Sequence, residues 1–152
     1  MTTTSYRTAG AKDIPAMLAI RLAVQENRLR DPARVTQQMY VDYLDLLGRG
    51  WVCERDGAIA GFAYADRVDG SIWALFVDPA HEGAGIGKQL LALATSYLFE
   101  QGHAKVVLST GPGTRADRFY TAQGWQRSHG DGAAEAFFTL DRPERVAGHE
   151  QR

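Results

Sequence analysis

A short glycine-rich segment between a strand pattern and a helix pattern constrains this chain more than any other feature of its sequence. Residues 83–87 read Gly-Ala-Gly-Ile-Gly, and the apolar positions that follow have helical spacing. A helix start carries unpaired backbone N–H groups and the positive end of the helix dipole. Glycines let an anion approach those groups closely. The segment therefore predicts an anion site on residues 82–88, most simply for a pyrophosphate, or else a helix start that needs glycine only for tight packing.

Two common phosphate-binding motifs do not fit this segment. A P-loop whose Gly-Lys pair is Gly87 and Lys88 would need a glycine at Glu82 and a serine or threonine at Gln89. A dinucleotide-binding fingerprint counted from Gly83 would need its third glycine where Lys88 stands. Neither nucleotide-binding motif is therefore present in its usual form.

Before the glycines, the helical spacing gives way to three short stretches rich in apolar and aromatic residues, at 51–55, 58–67 and 71–77. The Asp-Gly pairs between these stretches are typical of tight hairpin turns. The pattern predicts a three-stranded antiparallel meander followed by a crossover helix. A further strand at 105–110 comes after that helix, so we expect it to lie parallel to the strand at 71–77.

The N-terminal third of the chain predicts two helices after a short strand. Asp13 is expected to cap the first helix, with Pro15 in its first turn. The second helix is expected to end at Gly48 and Gly50.

A short helix at 115–123 and a closing hairpin of strands at 125–128 and 135–140 complete the pattern. The predicted order is β-α-α-β-β-β-α-β-α-β-β, an α+β fold with a mixed central sheet flanked by helices. We expect one domain over residues 1–142 and a polar tail over 143–152.

Length and charge bound the classes of function. The chain has 152 residues and a formal net charge of −1, which is typical of one soluble domain and not of a general nucleic-acid or membrane-surface binder. Its one cysteine, Cys53, cannot form an internal disulfide, and its four histidines are scattered without zinc-ligand spacing. No apolar run approaches ~18 residues. We therefore expect a cytoplasmic protein without a metal, a nucleic-acid partner or a membrane partner.

Two stretches carry a family resemblance. Residues 75–91 resemble the acetyl-CoA-binding core of the GNAT N-acetyltransferase superfamily, whose signature is Gln or Arg, two residues, Gly, one residue, and Gly or Ala. Gly85 and Gly87 match its two small positions. Residues 116–125 resemble the second signature of the family, a Phe-Tyr pair followed by a Gly-aromatic step. The predicted order of elements also matches that fold from residue 6 to residue 140.

The resemblance implies acetyl-CoA as the acetyl donor and assigns residues to it. The strands on either side of the crossover helix would splay apart, and the backbone groups of Phe76 and Val77 would pair with the pantetheine amides. The pyrophosphate would lie on the glycine segment, and Phe119 would be a core residue or a further cofactor contact. The implied cofactor-binding residues are Phe76, Val77, Glu82, Gly83, Ala84, Gly85, Ile86, Gly87, Lys88 and Phe119.

Two positions depart from the family pattern. Glu82 stands where the family has Gln or Arg, and its carboxylate would repel a nearby phosphate. Glu82 must therefore turn away, or Lys88, Arg115 or Arg118 must compensate. Gly113 stands where the family often has Asn, which removes a side-chain contact to the cofactor.

The resemblance also implies direct attack of a primary amine on the thioester. By resemblance Tyr120 is the acid that protonates the leaving CoA thiolate, and the alternative is a packed aromatic residue without a chemical role. Glu26 is expected to border the acceptor amine and could be the base, while Trp73 lines the acceptor pocket or fills the core. The other candidate bases are Glu54, Asp66 and His129.

Three functions remain open at the level of sequence. The first is an acetyl-CoA-dependent N-acetyltransferase acting on a small molecule, an amino acid or a peptide, with dimers common in the family. The second is a non-catalytic acyl-CoA-binding domain, which Glu82 and Gly113 favour. The third is a nucleotide-binding enzyme that uses the glycine segment differently.

Overall fold

The computed structural model describes residues 2–24, 37–42, 44, 47–128 and 136–143, and in these ranges the chain forms one seven-stranded sheet with helices on both faces. The strands are β1 (Thr4–Thr8), β2 (Gly48–Arg55), β3 (Ala58–Asp66), β4 (Ser71–Val77), β5 (Lys105–Thr110), β6 (Gln126–Ser128) and β7 (Ala136–Asp141). The helices are α1 (Ile14–Ala23), α2 (Gln37–Asp42), α3 (Ile86–Glu100) and α4 (Arg115–Ala122). The sheet order is β1-β2-β3-β4-β5-β7-β6. The predicted class and order of elements are confirmed.

The meander is confirmed together with its first turn. Asp56 and Gly57 have φ values of 52° and 86°, the left-handed conformation that a two-residue hairpin turn needs at both positions. β2, β3 and β4 pair antiparallel in sequence order. None of the helices in the described ranges is long and apolar enough to cross a membrane.

Two predictions about the N-terminal helices are wrong in detail. Gly48 and Gly50 belong to β2, where they pair with β3, and do not end a helix. Glycine is needed at position 48 because a Cβ atom there would lie 1.8 Å from the carbonyl oxygen of Ala65 on β3. Asp13 stands at the first position before α1 without capping it. Its carboxylate instead binds both terminal nitrogens of Arg7, at 2.8 and 2.9 Å, and these bonds hold the pKa of Asp13 below its ordinary value.

The two faces of the sheet carry different helices. On β3, Phe62 and Tyr64 pack into a core with α1 and α2, whereas Ala63 and Ala65 pack into a core with α3. This alternation follows from the period of two along a strand. Tyr120 of α4 belongs to the core on the α3 face.

A β-bulge in β4 sets the direction of Trp73. Tyr64 lies opposite Ala74 and Ala65 lies opposite Ile72, so Trp73 is an extra residue on β4. Its ring packs on the α1 and α2 face, where it stacks on Tyr64 with 4.8 Å between ring centroids.

The start of α3 rests directly on β3 at Gly61. A Cβ atom at Gly61 would lie 3.0 Å from the carbonyl oxygen of Phe76, 3.1 Å from Cγ2 of Ile86 and 3.2 Å from Cδ1 of Leu90. A methyl group there would require these neighbours to shift by a few tenths of an ångström. The absence of a side chain at Gly61 therefore allows the start of α3, and with it the glycine segment, to pack closely on the sheet.

Substitution of Gly61 tests this contact. We expect Gly61→Ala to lower the free energy of unfolding by about 1–3 kcal/mol, because Ile86 and Leu90 must move to admit the methyl group. Urea unfolding at neutral pH measures the change. Gly10→Ala is the control, since its Cβ would meet its nearest atom at 3.9 Å. Equal stability of the two variants would contradict the close packing of α3 on β3.

Candidate active site

The central feature of the site is a gap between β4 and β5. The two strands are parallel, as expected, but within the described residues they pair at one position only, Ser71 with Val107. There the N–H of Val107 donates to the carbonyl oxygen of Gly70 at 3.0 Å. Beyond this point β4 stays paired with β3 and β5 stays paired with β7. The strands therefore diverge toward their C-terminal ends, as the family resemblance predicted.

The register of β4 determines which backbone groups face this gap. The N–H of Asp78 donates to the carbonyl oxygen of Ala60 at 2.8 Å, which makes these two residues a hydrogen-bonded pair. Such pairs alternate along an antiparallel ladder, so the backbone groups of Phe76 bond to β3. Those of Leu75 and Val77 point to the other side, into the gap.

This register corrects one expectation and supports another. The register turns the backbone groups of Phe76 toward β3, so the groups that face the gap are those of Leu75 and Val77, where Phe76 and Val77 were expected. The ring of Phe76 lies on the α1 and α2 face, 5.5 Å from the ring of Phe62. The sequence could not show this, because the direction of a backbone group depends on how the neighbouring strand pairs.

The glycine segment lies at the open end of the gap, between the end of β4 and α3. Gly83 and Gly85 have φ values of 86° and 77°, and a Cβ atom on either would point into open space. These glycines thus permit a left-handed backbone and leave its surface uncovered.

Six consecutive N–H groups in this segment are free for an anion. Within the ranges that the structure covers, the N–H groups of residues 83–88 have no hydrogen-bond acceptor, and the first one paired is that of Gln89, which donates to Gly85 at 3.2 Å. A row of such groups at a helix start is suited to a phosphate group. The segment therefore fits the pyrophosphate that the sequence predicted, and this fit supports the anion site over a purely structural role for the glycines.

The Glu82 side chain contacts both a cation and solvent. Its carboxylate forms an ion pair with the guanidinium of Arg115, the first residue of α4. The two side chains are 40% and 66% exposed, so water screens the pair. Of the two alternatives that the sequence left open for Glu82, the structure shows compensation by a cation.

The start of α4 is fixed by residues that the sequence reading missed. The hydroxyl of Thr114 accepts a hydrogen bond from the N–H of Asp117, and the Asp117 carboxylate accepts from Arg127 at 2.9 and 3.0 Å and from the N–H of Gly113 at 2.7 Å. The bonds from Arg127 are the main reason that the pKa of Asp117 lies below its ordinary value. The Thr-x-x-Asp spacing was the available signal for this helix start.

The ends of β4, α3 and α4 meet at the mouth of the gap. A Cβ atom at Gly87 would lie 3.6 Å from both the Phe119 ring and Cγ2 of Val77, which is ordinary contact distance. Val77, Gly87 and Phe119 are half-buried there. The structure thus brings these three predicted residues together.

Tyr120 lies directly behind this mouth. Its side chain is packed between the rings of Phe119, Trp125 and Phe138, and the residue is only 6% exposed. Burial raises the pKa of Tyr120 above its ordinary value. Among the described residues, none forms a hydrogen bond with its hydroxyl. The raised pKa keeps the phenol protonated at neutral pH.

The other predicted residues fall into three groups. Trp73 is half-buried beside the gap on the α1 and α2 face. Glu54 is engaged by Arg7 at 3.0 Å, and Asp66 accepts from backbone N–H groups of the turn between β3 and β4, which gives both carboxylates structural roles. Glu26 and His129 lie outside the described residues. The described side chains contain no group of three or more His, Cys, Asp or Glu that could hold a metal ion.

Comparison with solved structures agrees with this architecture. The PaiA N-acetyltransferase of Thermoplasma acidophilum, solved in complex with coenzyme A, matches with a TM-score of 0.76 and 13% identity, over 92% of this chain and 99% of that one. Ard1 of Thermoplasma volcanium matches with a TM-score of 0.75 and 20% identity, over 93% and 99% of the two chains. At these identities the likeness shows the fold.

Sequence comparison gives the family. A mycothiol acetyltransferase of Sanguibacter keddieii is 40% identical over 88 residues, which are 51% of this chain and 28% of that protein. An uncharacterised ycf52-like N-acetyltransferase of Prochlorococcus marinus is 34% identical over 70 residues, 44% of this chain and 38% of that protein. The aligned regions thus span less than two-fifths of these curated relatives. The pattern of the acetyltransferase (GNAT) family matches residues 17–125, and the chain belongs to this family.

Proposed function

We propose that the protein is an acetyl-CoA-dependent N-acetyltransferase that moves an acetyl group to a primary amine of a small molecule, an amino acid or a peptide. The observation that supports this proposal most is that two sets of unpaired backbone groups follow one another along the chain. One set lies along β4 in the gap, and the other lies on residues 83–88 at its open end. Coenzyme A has the matching order of groups, with amides in its pantetheine arm and a pyrophosphate beyond them.

The chain's own residues divide the binding of the donor between them. The backbone groups of Leu75 and Val77 pair with the pantetheine amides as an added strand would. The N–H groups of residues 83–88 hold the pyrophosphate, and Lys88 adds a positive charge at the exposed start of α3. Phe119 contacts the donor where α4 meets the gap.

Tyr120 supplies the proton for the leaving group. Bound acetyl-CoA supplies a thioester whose carbonyl carbon is attacked by the neutral amine, so that a C–N bond forms and the C–S bond breaks. Tyr120 donates its phenolic proton to the departing sulfur and recovers one from solvent. Burial raises the pKa of Tyr120, which keeps the phenol protonated over the whole neutral range and also makes it a weaker acid. The excess proton of the amine leaves to water or to a base, for which Glu26 is the candidate.

The acceptor approaches from the face that carries α1 and α2. Trp73 and the ring of Phe76 are half-buried on that face of β4, next to the gap. They give the acceptor site an aromatic wall, which suits the apolar part of an amine.

Binding and turnover test the function separately. Titration calorimetry with CoA and acetyl-CoA measures binding, and release of free thiol across a panel of amines, amino acids and peptides measures transfer. We expect binding and turnover with at least one class of amine. Tight binding without thiol release on the whole panel would favour the non-catalytic acyl-CoA-binding domain. Stabilisation by ATP or NAD without any by acetyl-CoA would contradict both.

Substitution of Tyr120 tests its role as the acid. We expect Tyr120→Phe to lower kcat by about 10²-fold or more while the Kd for acetyl-CoA stays within about twofold, because the hydroxyl acts on the leaving sulfur and not on binding. Stopped-assay kinetics at saturating donor measure kcat. Tyr97→Phe is the matched control, a buried tyrosine of α3 whose ring packs on Trp51 instead. An unchanged kcat in Tyr120→Phe would remove this residue from the mechanism.

The burial of Tyr120 also predicts a stability change in alkali. Its pKa is raised from the ordinary 10.0 in the folded protein, so the unfolded chain loses this proton first and stability falls as the pH rises above about 10. Tyr120→Phe should make that fall shallower by up to about 1.4 kcal/mol per pH unit. Urea unfolding between pH 9 and pH 11.5 measures the slope. Tyr40→Phe should act in the same direction, since burial raises the pKa of Tyr40 to about 12. An unaltered slope in Tyr120→Phe would show that its hydroxyl is hydrated in the folded state.

A further inference from the structure

The ion pair between Glu82 and Arg115 joins the two elements that frame the proposed pyrophosphate site. Glu82 immediately precedes the six free N–H groups of residues 83–88, and Arg115 is the first residue of α4. Both side chains reach solvent. The pair therefore lies across the end of the gap where the N–H groups are, and it is weak enough to open.

The charges around this site are unequal. Lys88 and Arg118 are the other exposed cations of α3 and α4 near the segment, and Arg118 is held by its bond to the carbonyl oxygen of Gly113 at 3.0 Å. Glu82 is the acidic side chain of the segment itself. A pyrophosphate on the N–H groups would meet repulsion from the Glu82 carboxylate and attraction from the Arg115 guanidinium. The carboxylate and the phosphate would thus compete for the same cation.

We propose that Arg115 is a pyrophosphate-binding residue and that Glu82 is its built-in competitor, so that the pair sets the affinity for the donor. This inference rests on the proposed function, because it assumes that CoA binds in the gap. Without a ligand, the Glu82 carboxylate occupies the guanidinium. On binding, the guanidinium exchanges this carboxylate for a phosphate oxygen, and Glu82 turns to solvent.

The competition acts on the product as well as on the donor. CoA keeps its pyrophosphate after the acetyl group has left, so Glu82 weakens both complexes alike. Because differences in affinity at one site fall mainly on dissociation, we expect Glu82 to speed the release of CoA. A glutamate at this position then lowers the affinity for CoA and raises the rate at which the product CoA leaves.

A double-mutant cycle on binding tests the proposal. Calorimetry with CoA at low salt gives the Kd for the unaltered protein, Glu82→Gln, Arg115→Gln and the double variant. We expect Glu82→Gln to lower the Kd by about 3- to 10-fold and Arg115→Gln to raise it by about 2- to 5-fold, as is reasonable for exposed charges. Arg115→Gln should cost more affinity when residue 82 is already glutamine, because no carboxylate then competes for the guanidinium.

Two controls separate the pair from general charge effects. Glu100→Gln makes the same change at the exposed far end of α3, about 20 Å along the helix, and should leave the Kd unchanged. Dephospho-CoA lacks the 3′-phosphate but keeps the pyrophosphate, so the effects of Glu82→Gln and Arg115→Gln should persist with it.

Several results would overturn the inference. One is a Kd that rises or stays constant in Glu82→Gln, and another is a cycle without coupling between the two positions. Loss of both effects with dephospho-CoA would move Arg115 to the 3′-phosphate and away from the pyrophosphate. If CoA binds but one of these results is found, the inference fails and the proposed function stands. If neither the unaltered protein nor any variant binds CoA, the function and the inference both fail. Coupled binding without amine acetylation would support the inference and contradict the function.

Discussion

The structure depends on the parting of two parallel strands. β4 and β5 share one pairing position, Ser71 with Val107, and then diverge inside a sheet that is continuous on both sides. Buried backbone N–H and carbonyl groups need partners, and a divergence of this kind leaves the groups of Leu75 and Val77 without a strand to pair with. The gap is therefore a place for a ligand that can hydrogen-bond like a strand. The proposed function follows from this unpaired edge more than from any single side chain.

The two walls of the gap are held open from outside. β4 is held by its ladder with β3 and by the start of α3, which rests on Gly61. β5 is held by six register pairs with β7. On the α4 side, the bonds of Asp117 to Arg127 and to Gly113 fix the loop and the helix that carry Phe119 and Tyr120. The site is thus prepared by rigid elements, which reduces the cost of ordering it when a donor binds.

The sequence predicted the parts of this structure that depend on local patterns. The meander, the Asp56-Gly57 turn, the parallel crossover and the glycine segment were all visible as periodicity or turn chemistry. The sequence-based predictions were wrong where the role of a residue depends on a contact with a residue distant in the chain. Gly48 looked like a helix end but lies in β2, where the carbonyl oxygen of Ala65 leaves no room for a side chain. Phe76 was expected to face the gap, but its pairing with Phe62 turns its backbone groups toward β3. The partner of Glu82 lies 33 residues away at the start of α4, and the sequence could name Arg115 only as one of three candidate cations.

The central claim is that donor binding uses backbone N–H groups at the end of the gap. Amide chemical shifts in a ¹H–¹⁵N correlation spectrum, followed during titration with CoA, test this directly because each N–H is observed separately. The account predicts that the largest shifts fall on residues 83–88 and on Leu75 and Val77, with Phe76 changing less than its two neighbours. Saturable shifts confined to another part of the sheet, with residues 83–88 unmoved, would contradict it.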